Sequence, residues 1–334
     1  MQILLTGATG YLGSNIAKRL ASEGKDLILY VRDPNKLPRL AGSGKIECIK
    51  GDLRDKAILH QAVKRCDVLI HTAGLVKVWV KKRREFYEVN VQALRNLIDL
   101  SKQYNVRRFV YTSSFMALGP SDGQVLTEES SSKTQQFYND YGRSKSQAHQ
   151  IALRARSDGF PIITVYPGVI YGPGPATDGN WVGNLIFKFL QGKLPGLIGS
   201  LEKKWAFSYV DDVAAGHCQA LERAGAGGRY ILAGENRSLR DLFQGLSALT
   251  GRTAPRIVIP YWAAWLLGRL ETIKANLTGT APDITHEIVN IYRHDWAYSS
   301  QTAVQDLGYQ ITSFEEGLKR TVEFYQNRLR SKNQ

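Results

Sequence analysis

The sequence predicts an α/β fold, a doubly wound parallel sheet joined to a smaller, mainly helical C-terminal lobe. Three observations carry this reading. Short apolar runs recur along the first half of the chain, separated by stretches of helical period. The runs are continuous rather than alternating, which marks strands covered on both faces. A glycine-rich turn lies between the first run and the first helical stretch. The 334 residues suffice for a large sheet unit and a second lobe.

In order, the predicted strands are 2–6 (QILLT), 27–31 (LILYV), 46–50 (IECIK), 68–71 (VLIH), 108–113 (RFVYTS) and 162–166 (IITVY), with a late sheet strand at 229–233. Predicted helices include a first one ending near Gly24, a long one over about 83–104 and another over about 140–157. After Tyr166 the texture changes to a Pro- and Gly-rich loop, then a helix over 181–190. The predicted domains are a dinucleotide unit at 1–166 plus about 207–236, and a substrate-binding lobe at about 167–206 and 237–334.

Composition narrows the class. Apolar residues make up 43% and charged residues 22%, values of a globular protein rather than a disordered one. Cys48, Cys66 and Cys218 are widely spaced and odd in number, so no disulfide framework is expected. The scattered histidines form no HExxH, and no metal site is expected. The opening MQILLTGATG is too short for a secretory apolar region, and no apolar run is long enough to span a bilayer. The expected location is cytoplasmic, with peripheral attachment to a membrane surface as the alternative.

The formal charge is +14. Nine basic and three acidic residues fall between Lys77 and Arg108. A solvated helix face is the first reading of that run, a surface for acidic lipid or a partner the second; no nucleic-acid role is expected. Trp262, Trp265, Leu266, Leu267 and Leu270 read as packing inside the C-terminal lobe, with an interfacial helix as the alternative.

The turn Thr6–Gly13 (TGATGYLG) points to a dinucleotide. Gly7 permits the tight turn, Gly10 lets the backbone approach a pyrophosphate, and Gly13 clears the helix–sheet contact. Thr9, Tyr11 and Leu12 complete the predicted phosphate loop at a helix N-terminus. The second strand ends at Val31 and not at a carboxylate that would take a ribose 2′-hydroxyl. Arg32, with Lys36 behind it, therefore points to a 2′-phosphate. NADP(H) is expected, with NAD(H) as the alternative because Asp33 is adjacent. Asp52 suits the adenine amino group, with Leu53 against the ring. Thr72, Ala73 and Gly74 follow the fourth strand, where close backbone approach suits the cofactor riboses.

Tyr141 and Lys145, in YGRSK, are four residues apart and share a helix face. Ser114 and Thr112 lie at the C-terminal end of the fifth strand, where a parallel sheet gathers its chemistry. A phenol titrates near 10, too high for a base at neutrality. A neighbouring Lys145 ammonium lowers that value and also binds the nicotinamide ribose. Ser114 orients the substrate oxygen, and Tyr141 moves the proton.

These segments resemble the extended short-chain dehydrogenase/reductases of the NAD-dependent epimerase/dehydratase family, and most closely a dihydroflavonol-reductase-like, farnesol-dehydrogenase-like branch. The resemblance covers nearly the whole chain. It adds to the motifs above GDLRD (51–55), HTAG (71–74), VNVQALRN (89–96), YTSSF (111–115), YPGVIYGPG (166–174), GKLPGLIGS (192–200), FSYVDDVAAGH (207–217) and HDWAYSS (294–300). It implies a Rossmann-type lobe, Ser114, Tyr141 and Lys145 as catalytic residues, Asn90 on the cofactor side, and Pro167, Gly168 and Val169 along the nicotinamide. It also implies a homodimer or a monomer.

Phe115 and Met116 stand where sugar dehydratases of this family carry an Asp–Glu pair, which disfavours elimination of water. Val76, Trp79, Phe115, Met116, Phe137, Trp181, Trp205 and Phe207 are expected to form an apolar pocket. The expected activity is therefore hydride transfer between NADP(H) and an apolar carbonyl or alcohol, terpenoid, aromatic or flavonoid-like. One alternative is a redox-neutral nucleotide-sugar epimerase with tightly bound NAD, and a second is a non-catalytic dinucleotide-binding regulator.

Overall fold

Why the apolar runs end where they do is visible in a computed structural model, which describes residues 1–130 and 137–331. The strands are β1 (Gln2–Thr6), β2 (Asp26–Val31), β3 (Ile46–Lys50), β4 (Val68–His71), β5 (Arg108–Thr112), β6 (Ile162–Pro167), β7 (Val169–Tyr171), β8 (Leu197–Ile198), β9 (Lys204–Tyr209), β10 (Arg229–Leu232), β11 (Asn236–Ser238) and β12 (Val258–Ile259). The helices are α1 (Tyr11–Ser22), α2 (Lys56–Val63), α3 (Arg84–Tyr87), α4 (Ala93–Gln103), α5 (Asp140–Ser157), α6 (Trp181–Leu190), α7 (Val210–Arg223), α8 (Leu239–Thr250), α9 (Tyr261–Thr278), α10 (His286–Ile291), α11 (Gln301–Leu307) and α12 (Phe314–Arg330).

Seven strands form one sheet in the order β10-β6-β5-β4-β1-β2-β3. All six pairings are parallel. The order reverses between β1 and β4, where Thr6 pairs with His71. Their C-terminal ends open the crevice in which such sheets bind ligands. One face is covered by Ile16 and Leu20 of α1, Val213 and Leu221 of α7, and Leu307 of α11. The other is covered by Leu59 of α2, Leu94 and Leu97 of α4, and Ala148 and Ala152 of α5. The edge strand β3 departs from the continuous pattern, with Ile46 turned to solvent.

The predicted helix over 83–104 is present as α3, a π-helical turn at Glu88–Gln92 and α4. The π turn inserts an extra residue around Asn90, a device common at functional sites. The smaller lobe packs α6, α8 and α12 around β7, β9 and β11, with Tyr171, Phe207, Phe243, Trp296 and Tyr325 in its core.

The expected packing of Trp262–Leu270 inside this lobe is not what forms. Helix α9 buries its small residues Ala264, Gly268, Thr272 and Ala275. Trp262, Leu266, Leu267, Leu270, Ile273 and Leu277 are turned to solvent. The cause is the closeness of α10: a Cβ on Gly268 would lie 2.5 Å from the His286 backbone nitrogen, so only small side chains fit between the two helices.

Candidate active site

The turn after β1 is built on glycine at two critical points. Gly7 sits at φ +85°, and a Cβ there would lie 2.7 Å from the Ala73 nitrogen. A Cβ on Gly13 would lie 2.1 Å from the Gly7 carbonyl oxygen. The Gly10 N–H closes the turn on that same carbonyl at 2.8 Å. Gly10 also precedes α1 and offers no side-chain cap, so the first amides of the helix face the crevice. Gly7, Thr9, Gly10, Tyr11, Leu12 and Gly13 all line one cavity of about 630 Å³. This cradle fits a dinucleotide pyrophosphate.

Arg32, Asp52 and Leu53 line the far end of the same cavity. Asp52 is held by Arg54, whose Nε and Nη2 donate to its two oxygens at 2.8 and 2.9 Å. That bond, with Arg32 nearby, holds the carboxyl below its ordinary range. Lys36 is not part of the lining. Its ammonium is exposed and lies 3.6 Å from Asp33 of its own turn.

Thr72, Ala73 and Gly74 line the cavity where β4 ends. Asn90 does not. It is buried behind them, accepts from the Leu75 N–H at 2.7 Å and donates to the Ser144 hydroxyl at 2.9 Å. Its place is structural, tying the loop after β4 to α5 from behind the cofactor side of the cavity.

Ser114, Tyr141 and Lys145 converge at the centre of the cavity, with Thr112 and Pro167, Gly168 and Val169 beside them. Asn139 starts α5 by accepting from the Gly142 N–H at 2.7 Å, which sets the register of Tyr141 and Lys145. The Lys145 ammonium donates to the Thr112 carbonyl at 2.7 Å and lies 5.3 Å from the centre of the Tyr111 ring. Burial pulls its pKa down to about 7. Burial also raises the Tyr141 phenol, opposed by a hydrogen bond to Ser114. The expected lowering of Tyr141 by Lys145 is not seen: burial raises the phenol, and the opposing influence comes from Ser114.

His217 supports this arrangement, a part that sequence reasoning misses. Its Nδ1 donates to the Val213 carbonyl at 2.8 Å, which leaves Nε2 to accept from the Thr112 hydroxyl at 2.9 Å. Thr112 is therefore held on one side by His217 and bears Lys145 on the other. The motif FSYVDDVAAGH carries the signal, but only the fold brings its final histidine against β5.

At the substrate end, Val76, Phe115, Met116, Trp181 and Trp205 line the cavity as expected. Three others do not. Trp79 turns away and donates from its indole nitrogen to Asn276 of α9 at 3.0 Å. Phe207 is buried in the smaller lobe's core against Tyr171 and Phe314. Phe137 lies half-buried just before α5, outside the lining. Asn184, Asp178, Ile288, Ile291 and Tyr292 join the wall from elements whose meeting no local pattern announces. Trp181 stacks on Trp205 at 5.4 Å, and Tyr292 packs against both. The Trp205 indole N–H has no bonding partner among the described residues. The wall is aromatic with polar edges rather than uniformly apolar.

The fold and this cavity define a dinucleotide-binding enzyme of the short-chain dehydrogenase/reductase class. The model of the NAD dependent epimerase/dehydratase family matches residues 3–233, and the chain belongs to that family. A Synechocystis protein named "Putative dihydroflavonol 4-reductase" is 32% identical, over 97% of this chain and 94% of its own. The crystal structure of gox2253 matches with a TM-score of 0.81 and 31% identity, over 98% of each chain. MoeE5 in complex with UDP-glucuronic acid and NAD matches with a TM-score of 0.78 and 23% identity, over 98% of this chain and 100% of that one. The Thermus thermophilus UDP-glucose 4-epimerase complex with NAD matches with a TM-score of 0.73 and 22% identity, over 98% and 99%.

These matches correct two expectations. The expected preference for NADP(H) is not what the matching complexes carry: both named complexes hold NAD. The free apolar carbonyl or alcohol as substrate and small-molecule partner is overturned as well. Several of the matching structures, at 21–23% identity, are of proteins that bind or act on UDP-sugars. The wall itself differs from the expected one: it loses Trp79, Phe137 and Phe207 and gains Asn184, Asp178, Ile288, Ile291 and Tyr292.

Proposed function

We propose that the protein is an NAD-dependent, redox-neutral epimerase of nucleotide-sugars. The observation that carries this is the substrate wall. Aromatic faces of Trp181, Trp205 and Tyr292 suit the C–H face of a sugar ring, while the Asn184 amide suits its hydroxyls. The UDP-sugars and NAD in the matching structures support the reading. In the same reading, residues 1–166 with about 207–236 hold the dinucleotide, and about 167–206 with 237–334 hold the sugar. Within the family, the 32% identity to the Synechocystis protein supports a dihydroflavonol-reductase-like branch.

The chain's own groups divide the work as follows. The glycine turn and the α1 amides hold the pyrophosphate, Asp52 and Leu53 the adenine, and Lys145 the nicotinamide ribose. When bound, NAD supplies the hydride acceptor and donor, together with a positive ring that favours a phenolate nearby. Tyr141 takes the proton from the sugar hydroxyl, and Ser114 hydrogen-bonds the same oxygen. A keto sugar results, and the cavity gives it room to present its other face. Tyr141 then returns the proton as hydride is restored to carbon, so no net redox change remains.

The test is to incubate purified protein with UDP-glucose and UDP-glucuronic acid and resolve the products by NMR. We expect epimer formation without net accumulation of reduced nicotinamide, and a loss of about 10³-fold in Tyr141→Phe with NAD binding retained. Failure to convert any UDP-sugar, or steady reduction of added NAD, overturns the proposal.

A further inference from the structure

Helix α9 is held firmly with its large apolar side chains outward. At its start, the Tyr261 hydroxyl donates to the Tyr292 carbonyl at 2.9 Å. In its middle, Gly268 packs directly on residues 285–286. Near its end, Asn276 accepts from the Trp79 indole. The outward face carries Trp262, Leu266, Leu270, Ile273 and Leu277, of which Trp262 is 70% and Leu277 82% exposed. A helix anchored at three points presents this face as a fixed feature, not as a frayed end.

The Trp79–Asn276 bond also brings the basic run beside that face. Lys81 reaches the end of α9, its ammonium 3.7 Å from where a Cβ on Gly279 would be. Lys77, Lys81 and Lys82 are exposed and make no ion pair among the described residues. Arg269 lies along the helix with its guanidinium 5.6 Å from the centre of the Trp265 ring. An outward apolar stripe bearing a tryptophan and flanked by unpaired cations has the chemistry of an interfacial helix. Among the described residues no helix is long and apolar enough to cross a membrane.

We infer that α9 and the 77–84 run form a docking surface for a membrane containing anionic lipid. The lipid headgroups meet the lysines and the acyl boundary takes the apolar stripe. Charge decides between this occupant and a second copy of the chain, because two such faces brought together would oppose their cations. Lys77 and Val78 of the run, with Val76 just before it, line the catalytic cavity, as do Ile288 of the adjacent α10 and Tyr292 at its end. Docking therefore places the cavity's rim beside the lipid boundary.

Vesicle flotation tests this without any turnover, and so independently of the substrate assignment. The probes are vesicles of phosphatidylcholine alone and of phosphatidylcholine with about one third phosphatidylglycerol. The full-length protein is expected to float with the mixed vesicles and to be released by salt. A Leu266→Glu/Leu277→Glu variant is expected to lose binding about tenfold or more, and Lys81→Glu/Lys82→Glu to bind weakly without salt dependence. Both variants should keep the wild-type circular dichroism and melting profile, since the altered side chains are exposed. The inference is overturned by no binding to mixed vesicles, by wild-type binding in the leucine variant, or by a solution dimer that the leucine variant dissociates.

Discussion

Helices α5 and α9 are each 18 residues long, and they use their faces in opposite ways. Helix α5 turns inward a set that includes Lys145 and His149, two ionisable groups, among small residues. Helix α9 turns inward only Ala264, Gly268, Thr272 and Ala275, and leaves its leucines and Trp262 outside. Burial of a cation costs stability, and exposure of leucine forgoes it. Each helix departs from the ordinary amphipathic rule, the first where chemistry takes place and the second where a surface is presented.

The largest expected effect breaks the α5 side. Lys145→Met should lower turnover by about 10²- to 10⁴-fold. It should also raise stability by roughly 2–4 kcal/mol near neutrality. The sign follows from the folded value of about 7, lowered from 10.5. The unfolded chain binds the proton through the whole interval between those values and the folded chain does not, so the buried lysine costs stability as pH falls through that interval. Steady-state assays beside urea melts measure both; a variant that is both inactive and less stable would contradict the comparison.

Acid sensitivity sharpens it. Burial lowers His71 to about 3, and His149 and His217 to about 4. Above about 6.5, the ordinary histidine value, these groups are neutral in both states and contribute no pH dependence. As pH falls below it, the unfolded chain takes up protons that the folded chain refuses, and stability is lost progressively toward pH 4. The expected loss is on the order of 3 kcal/mol for each histidine. Urea melts over that range should show it, with a shallower slope in His149→Gln. Helix α9 buries no histidine, so changes on its outward face should leave the slope unaltered.

The smallest effects lie on α9 itself. Gly268→Val forces a side chain against the His286 nitrogen and should cost about 1–3 kcal/mol. Leu277→Ser, further along on the outward face, should change stability by less than about 0.5 kcal/mol. Thermal melts of the two variants therefore separate the packed face from the presented one.

How much of this the sequence shows depends on the distance between cause and effect. The glycine turn, the first six strands and the Tyr141–Lys145 spacing are local patterns, and the structure reproduces them within a residue or two. Asn184 and Tyr292 reach the cavity from α6 and the end of α10, and no periodicity links such separated positions. Trp79 misleads because its partner, Asn276, lies 197 residues away. The apolar run over 262–270 marks a helix correctly. Which face is buried depends on the close approach of α10, and helical period alone does not encode that.

The path of the chain between its two lobes carries a separate consequence. After β6 the chain enters the smaller lobe through β7 and α6, and it returns to the large sheet through α7 and β10. It leaves again at β11 and α8, returns with α11 against α7 and β10, and ends with α12 against α6 and α8. The smaller lobe is therefore threaded into the larger one like a stitch, not appended like a tag. A new cavity wall cannot be exchanged by a single cut and join. Recombination at one crossover would part α11 or β10 from the layer it completes, whereas substitutions within the wall leave both layers intact.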